Sequence, residues 1–248
     1  IAISKDKEIK NKGEAAVINI LDARTKSVMG TMRRNFLRRV VEGVDAGGFA
    51  DWNTLNGIDG SGFLEENTVG NQTNTVGGVN KTTYQAIPGW QNQMADISSS
   101  FNANGLNALV DLRVESAAVS SGGEPHIWLA SRAAAKNLKR SLRAFERYVD
   151  EDKVDGGRLI QVWDGIRMET EYYMPTDTGV HSTAVISFYL LNLDDIFFKF
   201  DSEGYFDVSP FERISGEYDV RAANCRLYGQ LCAKHLGSSG IAIDGETF

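Results

Sequence analysis

Apolar side chains recur at helical spacing near the start of the chain. Between residues 14 and 44 they stand mostly four or seven positions apart, which places them on one stripe of an α-helix. They are Val17, Leu21, Val28, Met32, Phe36, Val40 and Val44. Gly43, Gly47 and Gly48 end the run. At 1.5 Å per residue the helix would be about 45 Å long, so the pattern predicts one element that crosses the molecule.

The helical spacing of apolar residues disappears between residue 47 and about residue 97. Glycine, asparagine, threonine and serine dominate there, and Trp52 and Trp90 stand as isolated anchors. A loop of this length is unusual in a compact enzyme. The composition instead predicts an extended surface with short strands that contacts other molecules.

A helix, a strand and a second helix are predicted next. Residues 105–119 form the first helix, with an apolar stripe made by Leu106, Leu109, Val110, Val114 and Ala117. The apolar residues 126–130 form a buried strand, and Ser131 is the predicted N-cap of a basic helix over 132–148. This unit would supply the core of an α/β subdomain.

Strand patterns fill the rest of the chain. Asp164-Gly165 separates two strand-like runs, 159–163 and 166–171, and is a strong signal for a two-residue hairpin turn. Apolar strands follow at 184–191 and 196–200. Residues 218–234 alternate between apolar and polar positions, which predicts one unusually long strand.

Composition limits the class of protein. The 248 residues are 42% hydrophobic and 24% charged, which is typical of one large or two modest globular domains. The net charge of -7 argues against a simple basic nucleic-acid binder but leaves room for a local basic surface. No apolar run approaches the roughly 20 residues of a membrane span, so no membrane contact is expected.

Two features of the chain bear on its origin. Cys225 and Cys232 would face opposite ways on one strand, which predicts no disulfide, as in a reducing cytosol. The chain begins at Ile1 without methionine, and the polar residues 1–13 are expected to be the end of a longer element whose front is missing.

A search for catalytic chemistry finds little. His126, His181 and His235 are scattered without partners at metal-ligand spacing. The acidic run 150–156 fails the calcium-loop template and predicts a solvated loop. Phosphate-binding, dinucleotide-binding and nucleophile motifs are absent from the sequence. Triads assemble from distant residues, so catalysis is not excluded, but the sequence favours a protein without enzyme activity, cofactor or metal.

One charge pattern has two readings. Six basic residues lie between positions 24 and 39 with no acidic residue among them. They form either a solvated helix face or a surface that attracts phosphates without sequence preference. The candidate DNA-facing residues are Arg24, Lys26, Arg33, Arg34, Arg38 and Arg39. The predicted helix 132–148 carries a similar set of basic residues, but the acidic Glu146 lies among them. A solvated helix face is therefore favoured there.

Several segments resemble one protein family in the same order. Residues 75–81 read Thr-Val-Gly-Gly-Val-Asn-Lys, and Tyr84, Trp90 and Asn92 follow. This resembles a branch of tailed-bacteriophage major capsid proteins, whose fold is named after phage Hong Kong 97. The branch carries a Val-Gly-Gly-Ile-Asn-Arg run and then an aromatic residue and Trp-x-Asn. The residues at 191–193, 197–199, 209–211 and 229–232 resemble later segments of that branch.

The resemblance implies an α+β Hong Kong 97-like fold with a long spine helix, a peripheral-domain sheet and an α/β axial domain. Residues 1–13 would be the end of the extended loop, and residues 14–75 would be the peripheral domain with its spine helix. Residues 76–190 would be the axial domain, and residues 191–248 would return to the peripheral domain. The amino-terminal arm and most of the extended loop are not present, so no inter-subunit clasp or cross-link is carried over.

The resemblance also implies a function. The chain would be a major capsid protein that assembles through pentamers and hexamers into an icosahedral shell around double-stranded DNA. It would be made in the host cytoplasm and end in the virion. Its partners would be scaffold, portal and decoration proteins, with non-specific DNA contact. The alternatives are an encapsulin-like compartment shell and an α/β hydrolase or ligand-binding protein.

Overall fold

The structure is a computed structural model. It describes residues 2–4, 14–42, 63–65, 67–76, 78–83, 89–97, 100–119, 123–143, 151–154, 158–171, 186–214 and 220–244. Its helices are α1 (Glu14–Glu42), α2 (Leu106–Val119) and α3 (Arg132–Arg143), and a π-helical turn (Phe101–Gly105) precedes α2.

Sixteen strands are described in these ranges. The first eight are β1 (Ala2–Ser4), β2 (Thr75–Val76), β3 (Val79–Asn80), β4 (Gln93–Ile97), β5 (Ile127–Ala130), β6 (Glu151–Val154), β7 (Arg158–Trp163) and β8 (Ile166–Thr170). The others are β9 (Ile186–Leu191), β10 (Ile196–Phe200), β11 (Asp207–Val208), β12 (Glu212–Arg213), β13 (Val220–Ala222), β14 (Cys225–Arg226), β15 (Gly229–Ala233) and β16 (Gly240–Asp244).

The chain divides into two compact units. The smaller unit consists of Ile1–Leu37 and Phe198–Gln230, and the larger unit consists of Arg38–Phe197 and Leu231–Phe248. The predicted peripheral and axial domains use different boundaries and stay a prediction.

A seven-stranded mixed sheet organises the larger unit, in the order β4-β16-β9-β5-β8-β7-β6. Alternate residues of neighbouring strands, such as Trp128 and Ala130 on β5 and Phe188 and Leu190 on β9, enter one core with apolar residues of α2 and α3. Trp128 and Phe188 are fully buried, and each such side chain contributes roughly 1.5–3 kcal/mol by leaving water. The predicted helix–strand–helix core is therefore confirmed.

Two local predictions in this unit are also confirmed. The Ser131 hydroxyl accepts a hydrogen bond from the Ala134 amide at 3.2 Å, as an N-cap does. Asp164 and Gly165 have φ values of 50° and 76°, the left-handed backbone that a two-residue type I′ turn requires between β7 and β8. Strands β9 and β10 lie within the predicted runs 184–191 and 196–200.

The smaller unit holds most of α1 and three short sheets. Strands β1, β13 and β12 pair in the order β1-β13-β12, and β11 pairs with β14. Strands β10 and β15 also pair with each other. The predicted helix 14–44 is confirmed over its described residues, Glu14–Glu42.

The prediction of one long strand over 218–234 is wrong. The structure has three short strands there, β13, β14 and β15. No two of them share a partner strand: β13 pairs with β1 and β12, β14 with β11, and β15 with β10. The alternation of apolar residues reports which face is buried, whereas the length of a strand depends on how far one neighbour runs beside it.

Three further predictions need correction. On α2, Val110 and Val114 are exposed, and the buried residues are Ala108, Leu109, Leu112 and Ser116, because these face the sheet at spacings of three and four. Residues 151–154 form a strand paired with β7 rather than a solvated loop. The segment from Phe63 to Ile97 contains the predicted short strands β2, β3 and β4. It is not surface throughout, since Phe63 and Lys81 in it are fully buried, and its contact with other molecules stays a prediction.

Several predictions fall outside the described residues. These concern Val44, Trp52, the end of the predicted helix after residue 143 and the polar start except β1. Neither cysteine forms a disulfide. Cys225 lies on β14 and Cys232 on β15, so the single strand on which they were predicted to face opposite ways is not present.

Candidate assembly surface and buried polar cluster

A buried lysine lies at the centre of the segment that precedes β4. Lys81 is the only lysine or arginine between Arg39 and Arg113, and its side chain is fully buried. Its Nζ donates hydrogen bonds of 2.8 Å to the Phe63 carbonyl and to Asn92 Oδ1. A Glu65 carboxylate oxygen lies 3.8 Å away, so three oxygens surround the ammonium group.

The Glu65 carboxylate accepts bonds from several donors in the same segment. The amides of Thr73 and Asn74 donate to it at 2.7 and 2.9 Å, and the Asn67 side chain donates at 2.8 Å. Burial alone would raise the pKa of Glu65, but these hydrogen bonds and the Lys81 charge outweigh it, and the pKa lies below 4.5. Glu65 is therefore a carboxylate at neutral pH.

Asn92 and Gln72 complete the cluster by binding backbone groups. Asn92 Oδ1 accepts from the Glu65 amide at 2.9 Å, and Asn92 Nδ2 donates to the Glu65 carbonyl at 3.0 Å. Gln72 bonds the backbone of Asn92 with both ends of its amide, at 2.7 and 3.1 Å. We call Glu65, Gln72, Lys81 and Asn92 the buried polar cluster. Its groups are engaged with one another and with local backbone, an arrangement suited to holding the segment in shape.

The cluster predicts a pH dependence of stability. Burial lowers the pKa of Lys81 from 10.5 to about 8, and the Glu65 charge offsets this only in part. Between these values the unfolded chain holds a proton that the folded chain has released, so the free energy of unfolding rises with pH. We expect the wild type to gain up to about 3 kcal/mol over Lys81→Met between pH 8 and 10.5, measured by urea unfolding. Equal pH slopes for the two proteins would contradict the burial of a titrating lysine.

The candidate DNA-facing residues do not share one environment. Lys26 pairs with Asp22 at 2.6 Å, one turn earlier on α1. The Arg33 guanidinium lies 5.8 Å from the Phe206 ring centroid, a cation–π distance. Arg34 and Arg38 are exposed and Arg24 is half-buried. Arg39 lies on α1, with its side chain outside the described residues.

The six basic residues also spread around α1. At about 100° per residue, Lys26 and Arg33 lie on one side of the helix and Arg24, Arg38 and Arg39 lie toward the other. An unbroken basic run in the sequence is therefore not a single basic face. DNA contact by these residues stays a prediction.

Aromatic side chains form a continuous group in the smaller unit. Phe36 of α1 meets Phe198 edge to face at 4.9 Å between ring centroids, and Phe198 lies 4.4 Å from Phe200. Tyr205 contacts Phe200 at 4.7 Å and Phe206 at 5.3 Å. Such pairs add about 0.5–1.5 kcal/mol each beyond the burial of their area, so the group is a stable platform.

Two members of this group and the nearby Tyr228 are exposed. Tyr205, Tyr228 and Phe200 are 59%, 57% and 41% exposed, and we call these three residues the aromatic patch. Backbone hydrogen bonds of 2.9 Å join Tyr228 to Asp201 and to Gly204. A Cβ atom at Gly204 would meet the Tyr228 ring, so glycine permits this close packing. Exposed aromatic side chains grouped in this way are typical of protein interfaces.

Sequence reasoning did not single out either feature as a site. Five aromatic residues within positions 197–206 are a signal that could have identified the patch. Lys81 and Asn92 appeared only as parts of a family-like run, and a lone lysine in a polar, glycine-rich segment does not by itself predict burial.

The described part of the chain has neither a metal-binding cluster of histidine, cysteine and acidic residues nor a membrane-spanning helix. Within it, no group of three histidine, cysteine, aspartate or glutamate residues is placed to hold a metal ion. His126 lies 3.6 Å from Asp194, and His235 packs beside Gly89. None of the helices in that part is long and apolar enough to cross a membrane.

Comparison with known proteins gives a structural match. The sequence matches no family model and no curated protein. The structure is similar to the shell protein in the holo-SrpI encapsulin complex from Synechococcus elongatus PCC 7942, solved by cryo-electron microscopy. The TM-score is 0.56 at 10% identity, over 98% of this chain and 71% of that chain. The chain therefore has the mixed helix-and-sheet, Hong Kong 97-like fold that encapsulin shells share, whereas a spine helix and an axial domain stay predictions.

Proposed function

We propose that this chain is a structural subunit that assembles with copies of itself into a closed shell. The observation that carries the proposal is the fold similarity to an encapsulin shell protein over nearly the whole chain. The exposed aromatic patch supports it, because an isolated subunit would leave large aromatic side chains in water. Repeated contacts between different surfaces of identical subunits close into rings and then into shells.

Particle size tests this proposal directly. The purified full chain is expected to elute as a megadalton species and to appear as closed particles by negative-stain microscopy. A stable monomer at all concentrations would overturn the shell and favour the α/β hydrolase or ligand-binding alternative.

The content of the shell has two candidates. The encapsulin-like compartment is supported by the structural neighbour, which is an encapsulin. The bacteriophage capsid is supported by the co-linear sequence segments that resemble phage major capsid proteins. We place the compartment first, because the basic residues of α1 are spread around the helix and the net charge is -7. Scaffold, portal and decoration partners and a location in the virion belong only to the capsid candidate.

Nucleic acid retention separates the candidates. If the shell is a capsid, changing Arg33, Arg34, Arg38 and Arg39 to glutamine is expected to leave shells assembling while they retain less nuclease-resistant nucleic acid. The difference from the wild type should be largest at low salt and shrink as salt rises, because counterions compete with the arginine contacts that only the wild type has. The measurement is nucleic acid per particle over a salt series.

A second helix offers the matched control for this experiment. Arg132, Lys136, Lys139 and Arg140 are exposed on α3, and their change to glutamine should not alter retention. Retention equal to wild type at every salt concentration in the α1 variant would contradict DNA contact by α1. Particles that lack nucleic acid in the wild type would favour the compartment.

A further inference from the structure

Three sulfur atoms converge in the smaller unit. Met29 and Met32 are three residues apart on α1, which places their side chains on the same side of the helix. The Cys225 Sγ on β14 lies 3.2 Å from Met29 Sδ and 3.0 Å from Met32 Sδ. All three residues are half-buried rather than sealed in a core, so a small ion has access to them.

Hydrogen bonding accounts for only part of this arrangement. A thiol has one proton, so the Cys225 thiol can donate to one of the two thioethers at a time. The other thioether then faces the thiol sulfur with lone pairs on both atoms. A cation in place of the proton would attract all three sulfurs at once.

An acidic residue lies next to the strand partner of Cys225. Val208 of β11 pairs directly with Cys225, and Asp207 precedes Val208. A metal ion bound at the Cys225 sulfur would displace the thiol proton into solvent.

The donor set decides which ion fits. Thiolate and thioether sulfurs are soft ligands that select monovalent copper, whereas magnesium, calcium and manganese prefer carboxylate and carbonyl oxygens. Zinc usually takes four ligands in a structural site, and three sulfurs supply fewer. Methionine side chains have three rotatable bonds, so the sulfurs can move apart to the distances that metal–sulfur bonds require.

We propose that Cys225, Met29 and Met32 form a binding site for one cuprous ion. On binding, the Cys225 Sγ–H bond breaks, the proton leaves to solvent, and a copper–thiolate bond forms while the two thioethers complete a three-sulfur environment. Copper enters and stays as Cu(I), so no electron is transferred. The site lies within the smaller unit and does not depend on the proposed shell function.

Anaerobic titration of the full chain with Cu(I), in competition with a chromogenic cuprous chelator, tests the site. We expect one tightly bound ion per chain and no comparable binding of Zn(II). Loss of an outer-shell partner of a metal ligand costs 10–100-fold in affinity. Cys225→Ser, which removes a direct ligand, should therefore lower the affinity by about 100-fold or more. Met29→Leu and Met32→Leu should each lower it by about tenfold. The matched control is Cys232→Ser, which should bind as the wild type does.

Alkylation of the wild-type protein gives a second readout that needs no variant. Cu(I) should protect Cys225 from iodoacetamide and leave Cys232 reactive, as located by peptide mass spectrometry. Equal protection of Cys225 and Cys232 from alkylation would overturn the site. Copper affinity equal to wild type in Cys225→Ser would also overturn it. Wild-type affinity in both methionine variants would also overturn it, because the thiol alone would then be the ligand. If Cys225→Ser does not fold by circular dichroism, the leucine variants and the protection experiment decide.

Discussion

Replacement of Glu65 by alanine is expected to lower the free energy of unfolding by about 3–5 kcal/mol. The substitution leaves the Lys81 ammonium buried without its nearby carboxylate, which lies 3.8 Å away in the wild type. It also leaves the Thr73 and Asn74 amides without the acceptor they bond at 2.7 and 2.9 Å. Urea unfolding of the full chain at neutral pH measures the change, with wild type and variant compared in the same assembly state.

Two further variants decide whether charge pairing is the cause. Glu169 is exposed on β8 of the same unit, and Glu169→Ala should change stability by less than about 0.5 kcal/mol. Adding Lys81→Met to Glu65→Ala removes the unpaired charge, so the double variant should recover part of the lost stability. A double variant less stable than Glu65→Ala would show that the lysine contributes through packing rather than through its charge.

The second large effect is expected at the aromatic patch. Changing Tyr205 and Tyr228 together to serine should prevent closed particles from forming at concentrations where the wild type assembles. Tyrosines at the centre of an interface often contribute 2 kcal/mol or more each. A loss of 1.4 kcal/mol per contact already raises the concentration needed for association about tenfold. Light scattering over a concentration series, with negative-stain microscopy, measures the threshold.

Phenylalanine variants are the matched control for the patch. Tyr205→Phe with Tyr228→Phe keeps both rings, so particles should still form. Circular dichroism of the serine variant should match the wild type, because both side chains are more than half exposed in the single chain. Normal assembly of a folded serine variant would exclude the patch as a contact between copies of this chain.

Predictions from the sequence succeeded where the cause is local. The Asp164-Gly165 turn was predictable because few residue pairs adopt left-handed backbone, and the Ser131 cap because its hydroxyl reaches an amide three residues on. The prediction for 218–234 was wrong because that run divides into three short strands, which pair with four strands from different parts of the chain. The stripe on α2 was misplaced because Val110 and Val114 fit a helical period as well as the buried residues do.

The candidate sites depend on contacts between residues far apart in the chain. Met29 and Cys225 are 196 positions apart in the sequence. They come into contact only because β14 and α1 are folded into one unit. Phe36 reaches Phe198 for the same reason. The spacing of residues along the chain does not predict such contacts, because they depend on how the helices and strands pack together.

The basic run of α1 shows which properties the sequence alone predicts and which depend on tertiary packing. The sequence by itself determined that a long helix forms and that six basic residues lie on it, since periodicity and charge are local properties. Tertiary structure decided that Arg33 contacts an aromatic ring. It also decided that the one lysine of the glycine-rich segment is buried in a polar cluster. Burial, partners and pKa depend on what the rest of the fold brings near a side chain, and only packing supplies that.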